Sequence, residues 1–264
     1  MSEVGWIGLG AIGTNMVLRA LDAGHSVTVF ARGSGQIEAG GRGAAASADY
    51  RQLAASSDIL VLCLFDDAQV RRVLIDEGTL GALRPGSVLV IHTTGSPDLV
   101  REIGASAPSG VATLDAAFSG GPAAVLAGEL TVMVGGDAEA IDRVRPLLTS
   151  YAHLIFHVGS LGSGQTIKLL NNLLFATNLM NAAELLNVAA ARGLDTAEAA
   201  KVIQNCSGAS FALRSFLSPA PVAEALARSR PYVEKDVATV AASAERNHID
   251  ISAFRPTIGY FAKD

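Results

Sequence analysis

Three glycines spaced G-x-G-x-x-G (Gly8, Gly10 and Gly13) end an apolar run that begins at Val4 and open a helical pattern with Met16, Val17, Ala20 and Leu21 on one face. This arrangement suits a dinucleotide pyrophosphate: one glycine permits the tight turn, one lets backbone approach the phosphates, and one lets helix pack on strand. Ala11 and Ile12, between the glycines, lend their backbone to the same turn, and the helix N-terminus aims its N–H groups at the anion. Much further on, Lys168 precedes Asn172 by four residues in a long apolar helical pattern. That spacing puts an ammonium and an amide on one face, where both can reach one substrate oxygen. Such a lysine can protonate the alkoxide formed as hydride reaches a carbonyl carbon, or take the proton back in reverse, the more readily where partial burial lowers its pKa. Ser119-Gly120-Gly121, after an apolar strand, offers a hydroxyl and exposed N–H groups to a carboxylate. Each motif has a plainer reading, as an ordinary glycine turn or a surface lysine, and it is the strand–turn–helix setting that raises the first above it.

The coenzyme follows from the end of the second strand. Enzymes that use NAD place Asp or Glu there to accept the ribose hydroxyls. This chain reads Phe30-Ala31-Arg32-Gly33-Ser34, with no acid. Arg32 can stack on adenine and grip a 2′-phosphate with its charged fork, so NADP(H) is expected over NAD(H). A solvated loop charge is the alternative.

Short apolar runs alternate with helical patterns over the first part of the chain, as in a parallel sheet with crossover helices. Strands are expected at residues 4–7, 27–30, 59–64, 87–92, 111–115, 131–134 and 154–157. Leu64 and Phe65 end one of them, and Thr93-Thr94 another. Asp66-Asp67 reads as a helix cap, because acids favour the first turn and adjacent side chains diverge. After residue 161 strand periodicity stops, and a helix over 164–192 leads into further helices. The expected architecture is α/β, a Rossmann-like doubly wound sheet over 1–161 followed by an all-α domain over 162–264 on a long interdomain helix. The cleft between the two is the natural place for substrate.

Composition excludes several classes. The net charge is −5 and the twenty basic residues are scattered, so neither nucleic acid nor an anionic membrane surface is an expected partner. Cys63 and Cys206 are distant and lack ligand-spaced partners, and the five histidines show no metal spacing; no metal site is expected. The histidines read as strand-end and loop residues. The absence of a leader pattern and the sparse cysteines point to a reducing cytoplasm. Asn171, Asn172, Asn178, Asn181 and Asn187 argue against a lipid-facing span for the long helix. Charged residues make up only 17% of the chain, which reads either as apolar surface buried between copies, in a homodimer or homotetramer, or simply as a sequence rich in Ala and Gly.

Taken together, Gly8-Leu9-Gly10-Ala11-Ile12-Gly13, Ser119-Gly120-Gly121-Pro122 and Gly162-Ser163-Gly164-Gln165-Thr166-Ile167-Lys168-Leu169-Leu170-Asn171-Asn172 resemble the three signatures of the β-hydroxyacid dehydrogenases, in the same order and spacing. The resemblance implies an NAD(P)-dependent enzyme that interconverts a small 3-hydroxy acid and its semialdehyde. It implies Lys168 as general acid/base, Asn172 or its neighbour Asn171 orienting the substrate, and Ser119, Gly120 and Gly121 binding its acid group. It further implies Leu64, Phe65 and Thr94 alongside the cofactor, and Lys235, in the pair Lys235-Asp236, reaching towards it. Ala124 and Glu129 depart from the usual pattern, as does the stretch from 249 to 264, where relatives continue further. The related 6-phosphogluconate dehydrogenases carry a histidine where Asn171 stands, imine reductases usually replace the lysine, and a non-catalytic nucleotide-binding module is a further alternative.

Overall fold

The computed structural model describes residues 2–30 and 34–262, so Arg32 lies outside the described residues. Contacts divide the chain into two compact units, Met1–Lys168 and Leu169–Asp264.

The first unit holds one sheet in the order β3-β2-β1-β4-β5-β6-β7-β8. Its elements are β1 (Glu3–Ile7), α1 (Ala11–Asp22), β2 (Ser26–Phe30), α2 (Ser34–Gly41), β3 (Ala45–Ala46), α3 (Tyr50–Ser56), β4 (Ile59–Leu62) and α4 (Asp67–Arg71). They continue with β5 (Val88–Ile91), α5 (Pro97–Ser106), β6 (Ala112–Ser119), α6 (Pro122–Ala127), β7 (Leu130–Gly135), α7 (Ala138–Leu148) and β8 (Ala152–Gly159). β4 reads ILVL and β5 VLVI, every residue buried, because helices cover the sheet on both faces. The pleat then sorts the side chains. Trp6, Ile59, Val61, Val88 and Val90 join one core, while Ile7, Leu60, Leu62, Leu89 and Ile91 join the other. This is the expected doubly wound sheet of a Rossmann-type fold.

One pairing departs from the parallel expectation. β6 and β7 run antiparallel, because residues 120–129 are too few for a crossover back to the starting edge. β7 then pairs with β8 in parallel. β6 also runs to Ser119, past the Asp115 end expected for it, so Phe118 and Ser119 belong to the strand. The two-residue β3 carries no apolar run and gave no signal. His153 and His157 sit inside β8 rather than at an end.

The second unit contains most of α8 (Ser163–Ala191) with α9 (Thr196–Gln204), α10 (Val222–Arg246) and α11 (Arg255–Phe261). α8 is long and apolar enough to cross a membrane by length and composition. One of its faces is nonetheless spent on a protein core: Ala176, Leu179, Ala183 and Leu186 pack with Leu213, Phe216, Val237 and Phe261. The divergent end of the chain is folded into that core through Phe261 and through Thr257, whose hydroxyl meets that of Thr177 at 3.0 Å.

Candidate active site

The glycines of the first turn do three different things. Gly8 has φ +103°, and a Cβ there would lie 2.2 Å from the Cys63 carbonyl oxygen. A Cβ on Gly13 would lie 2.1 Å from the Gly8 carbonyl oxygen, so helix and turn touch backbone to backbone. A Cβ on Gly10 would meet no atom of the described residues within 4 Å. Gly10 therefore faces open space at the N-terminus of α1, next to Ala11 and Ile12, and no side chain caps that helix. By contrast Asp49, Asp66, Ser96 and Asp137 cap α3, α4, α5 and α7. α1 thus presents uncapped N–H groups beside a glycine with nothing over it, which fits a pyrophosphate. α6 is uncapped as well: its N-cap is Gly121, preceded by Gly120 at φ +131°. The Asn15 amide donates to the Pro122 carbonyl at 3.4 Å and ties the two uncapped helices together.

A single row of residues across the sheet organises these turns. Ile7 pairs with Leu62, Leu62 with Ile91, Ile91 with Asp115, Asp115 with Gly135, and Gly135 with Gly159. Just past that row come Gly8, Leu64 with Phe65, and Thr94. Of the strands that run parallel to β1, only β6 continues four residues further, paired there with β7, and carries Ser119 beyond the row. Because β7 returns antiparallel, the end of β8 comes back to the same level, and there α8 begins.

The exit turns are bonded to one another. The Thr93 hydroxyl accepts the Leu64 N–H at 2.8 Å, and Phe65 N–H donates to Gln69 Oε1 at 3.2 Å. Phe65 is exposed, while Leu64 and Thr94 are half-buried. Both Asp67 oxygens accept the Ser96 N–H, at 3.1 and 3.0 Å, so Asp67 pins the next turn in addition to opening α4 behind the Asp66 cap. Asp115, completely buried, accepts N–H bonds from Gly162 at 2.7 Å and Gln165 at 2.6 Å. Burial raises its carboxyl above the ordinary value, against the opposing pull of these donors. Gln165, also completely buried, accepts the Gly95 N–H at 3.0 Å and donates to the Thr93 carbonyl at 2.8 Å.

On α8, Lys168 is half-buried, one turn before the half-buried Asn172. Within the second unit the Asn172 amide donates to Asp236 Oδ2, while its own oxygen accepts from the exposed Asn171 at 2.9 Å. The Lys235 ammonium lies 3.1 Å from Asp236 Oδ1, close enough to pair although not aligned as a hydrogen bond. Thus Gly8 to Gly13, Leu64, Phe65, Thr94 and Ser119 to Gly121 share one edge of the first unit, and Asn171, Asn172 and Lys235 gather in the second. Sequence reasoning missed Asp115, Gln165 and Asp236 as members of the site. Asp236 stood beside Lys235 and Gln165 inside a quoted motif, but their partners lie 64 and 70 residues away.

The NAD-binding domain of 6-phosphogluconate dehydrogenase matches residues 3–159, and the NAD-binding domain of NADP-dependent 3-hydroxyisobutyrate dehydrogenase matches residues 162–254. An NAD-dependent L-serine dehydrogenase of Pseudomonas aeruginosa is 35% identical over 88% of this chain and 79% of its own length. The 3-hydroxyisobutyrate dehydrogenase of the same organism is 32% identical over 82% and 74%. A solved 3-hydroxyisobutyrate dehydrogenase of Mycobacterium tuberculosis with L-serine superposes with a TM-score of 0.87 at 28% identity, covering 99% of this chain and 92% of that one. With both domain families matched in order, and the glycine turn, the Ser119 turn and the Lys168 helix standing where they do, the chain belongs to the β-hydroxyacid dehydrogenase family and is an NAD(P)-dependent dehydrogenase acting on hydroxyl groups.

Proposed function

We propose that this enzyme uses NADP(H) to interconvert a small 3-hydroxy acid of the 3-hydroxyisobutyrate type and its semialdehyde, with Lys168 as the general acid/base. The observation that carries this reading is that α8, bearing Lys168, starts at the row of the sheet from which the glycine turn also leaves. L-Serine and 3-hydroxyisobutyrate, named for the two curated relatives, share a hydroxymethyl group on the carbon next to a carboxylate. That is the simplest substrate common to both.

When bound, the nicotinamide supplies or accepts the hydride. The chain's own residues handle the proton and the orientation. In oxidation, the neutral Lys168 amine takes the hydroxyl proton; in reduction, its ammonium returns one to the carbonyl oxygen. Asn172, held by Asp236, orients the oxygen, and Asn171 steadies Asn172 from the other side. Ser119 with the Gly120 and Gly121 N–H groups receives the carboxylate. Leu64, Phe65 and Thr94 line the cofactor, and Lys235 adds a positive charge towards it. The preference for NADP(H) rests on the missing acid after β2 and on Arg32. A reducing cytoplasm is the proposed compartment, in keeping with two unpaired cysteines.

Turnover of 3-hydroxyisobutyrate and L-serine, followed at 340 nm with each coenzyme, tests all of this. Lys168→Ala should lower kcat by about a hundredfold or more while NADPH still binds, as judged by its fluorescence. Near-normal turnover in that variant would remove the lysine from the mechanism. A higher kcat/KM with NAD+ than with NADP+ would overturn the coenzyme preference.

A further inference from the structure

The side chain of Gln165 has no part in the mechanism above, yet it is completely buried and both ends of its amide are used. Its oxygen accepts the Gly95 N–H and its nitrogen donates to the Thr93 carbonyl, at 3.0 and 2.8 Å. Its own backbone N–H is held by Asp115 at 2.6 Å. The two backbone groups it satisfies flank Thr94, and Lys168 follows one helical turn later on α8. A glutamine amide both donates and accepts at any pH, which a glutamate of the same length does only when protonated. Two glycines beside this link are closely packed. A Cβ at Gly95 would lie 1.8 Å from Asp67 Oδ1, and one at Gly164 would lie 2.5 Å from the Met133 carbonyl oxygen and 2.8 Å from Asp115 Oδ2.

We propose that Gln165 is a positioning residue: it welds the Thr93–Ser96 turn to the first turn of α8, so that the cofactor-side turn and Lys168 hold one fixed spacing. This rests on the reading of Lys168 as the acid/base and of Thr94 as a cofactor neighbour. The weld sets where the lysine stands relative to the turn rather than how tightly nucleotide is held. Its loss should therefore appear in kcat and not in affinity.

The test compares the full-length protein with Gln165→Met, Gln165→Glu and Lys168→Ala. In Gln165→Met, kcat for 3-hydroxyisobutyrate with NADP+ should fall about tenfold or more, with KM and the NADPH dissociation constant within about threefold of the parent. Amide hydrogen exchange, which needs no turnover, should show the Gly95 N–H losing at least about tenfold protection while Val88 to Ile91 keep theirs. Gln165→Glu retains the acceptor but can donate to the Thr93 carbonyl only when protonated. Its kcat relative to the parent at the same pH should therefore rise from pH 8 to pH 6. Asp115, Asp67 and Lys168 are the other charged groups around this turn, and the parent at the same pH removes the part of their pH dependence that the two proteins share.

Parent-like kcat together with an unchanged Gly95 amide in Gln165→Met would overturn the proposal. So would a loss of protection spread equally over β5, which would make the residue a general stabiliser. If Gln165→Met does not fold, the Gln165→Glu pH ratio decides, and a flat ratio counts against the weld. High activity in Lys168→Ala would instead sink the reading of the lysine, while the exchange data would still report on the weld.

Discussion

Single side chains in this protein are fixed by what they bond to, and His92 shows how sharply. It is fully buried, with Nδ1 facing the Ala116 carbonyl and Nε2 at 3.0 Å from the Tyr151 hydroxyl. The carbonyl can only accept, so Nδ1 carries the hydrogen and Nε2 accepts from the tyrosine. The ring is neutral, and burial lowers its pKa from 6.5 to about 4. Below pH 6.5 the unfolded chain gains a proton that the folded one refuses, so stability is lost as pH falls from 6.5 towards 4, by on the order of 3 kcal/mol. Melting curves should show a steeper acid slope for the parent than for His92→Gln, which cannot titrate; equal slopes would refute the assignment. At this scale the sequence was legible where chemistry is local. The Gly8 to Gly13 turn and the Lys168 to Asn172 spacing are contained within a few residues. Asp115, Gln165 and Asp236 act on groups brought close only by folding, and a buried carboxylate that holds N–H groups looks no different in sequence from one that faces solvent.

Elements were legible to the extent that their periodicity is local. β4 and β5 are unbroken apolar runs, and α8 is a long apolar helix, so these were plain. The reversal at β7 was not, because the direction of a strand leaves no mark on its side-chain pattern; only the shortness of the 120–129 connection speaks for it. The meeting of α1 with its strand gives a test at this level. In Gly13→Ala the added methyl collides with the Gly8 carbonyl oxygen, so helix and turn must part. The variant should melt lower than the parent and bind NADPH at least about tenfold more weakly. In Gly10→Ala the methyl meets no atom of the described residues within 4 Å, so melting should stay near the parent while NADPH binding falls comparably. If both variants behave alike, the division of labour among the three glycines is wrong.

Over the whole molecule, low charge goes with considerable exposed apolar surface. On α8, Leu170 and Leu174 are 55% and 57% exposed, and on β8, Leu154 and Phe156 are 45% and 50% exposed. Surfaces of this kind are usually covered by another protein, and a second copy of the chain is the simplest cover. Sedimentation should accordingly give a mass that is a multiple of 27.1 kDa, with Leu174→Lys lighter than the parent; a concentrated parent that stays monomeric would contradict this. β8 itself has a consequence for how the protein comes apart. It forms one edge of the sheet, as β3 forms the other; among the described residues it pairs with β7 alone, and most of its residues are exposed. In a protomer separated from its partner, such a border should fray long before the interior strands give way. α8 leaves from that margin, yet its first turn is moored to Asp115 in the interior, so unravelling of the border need not cast the helix adrift.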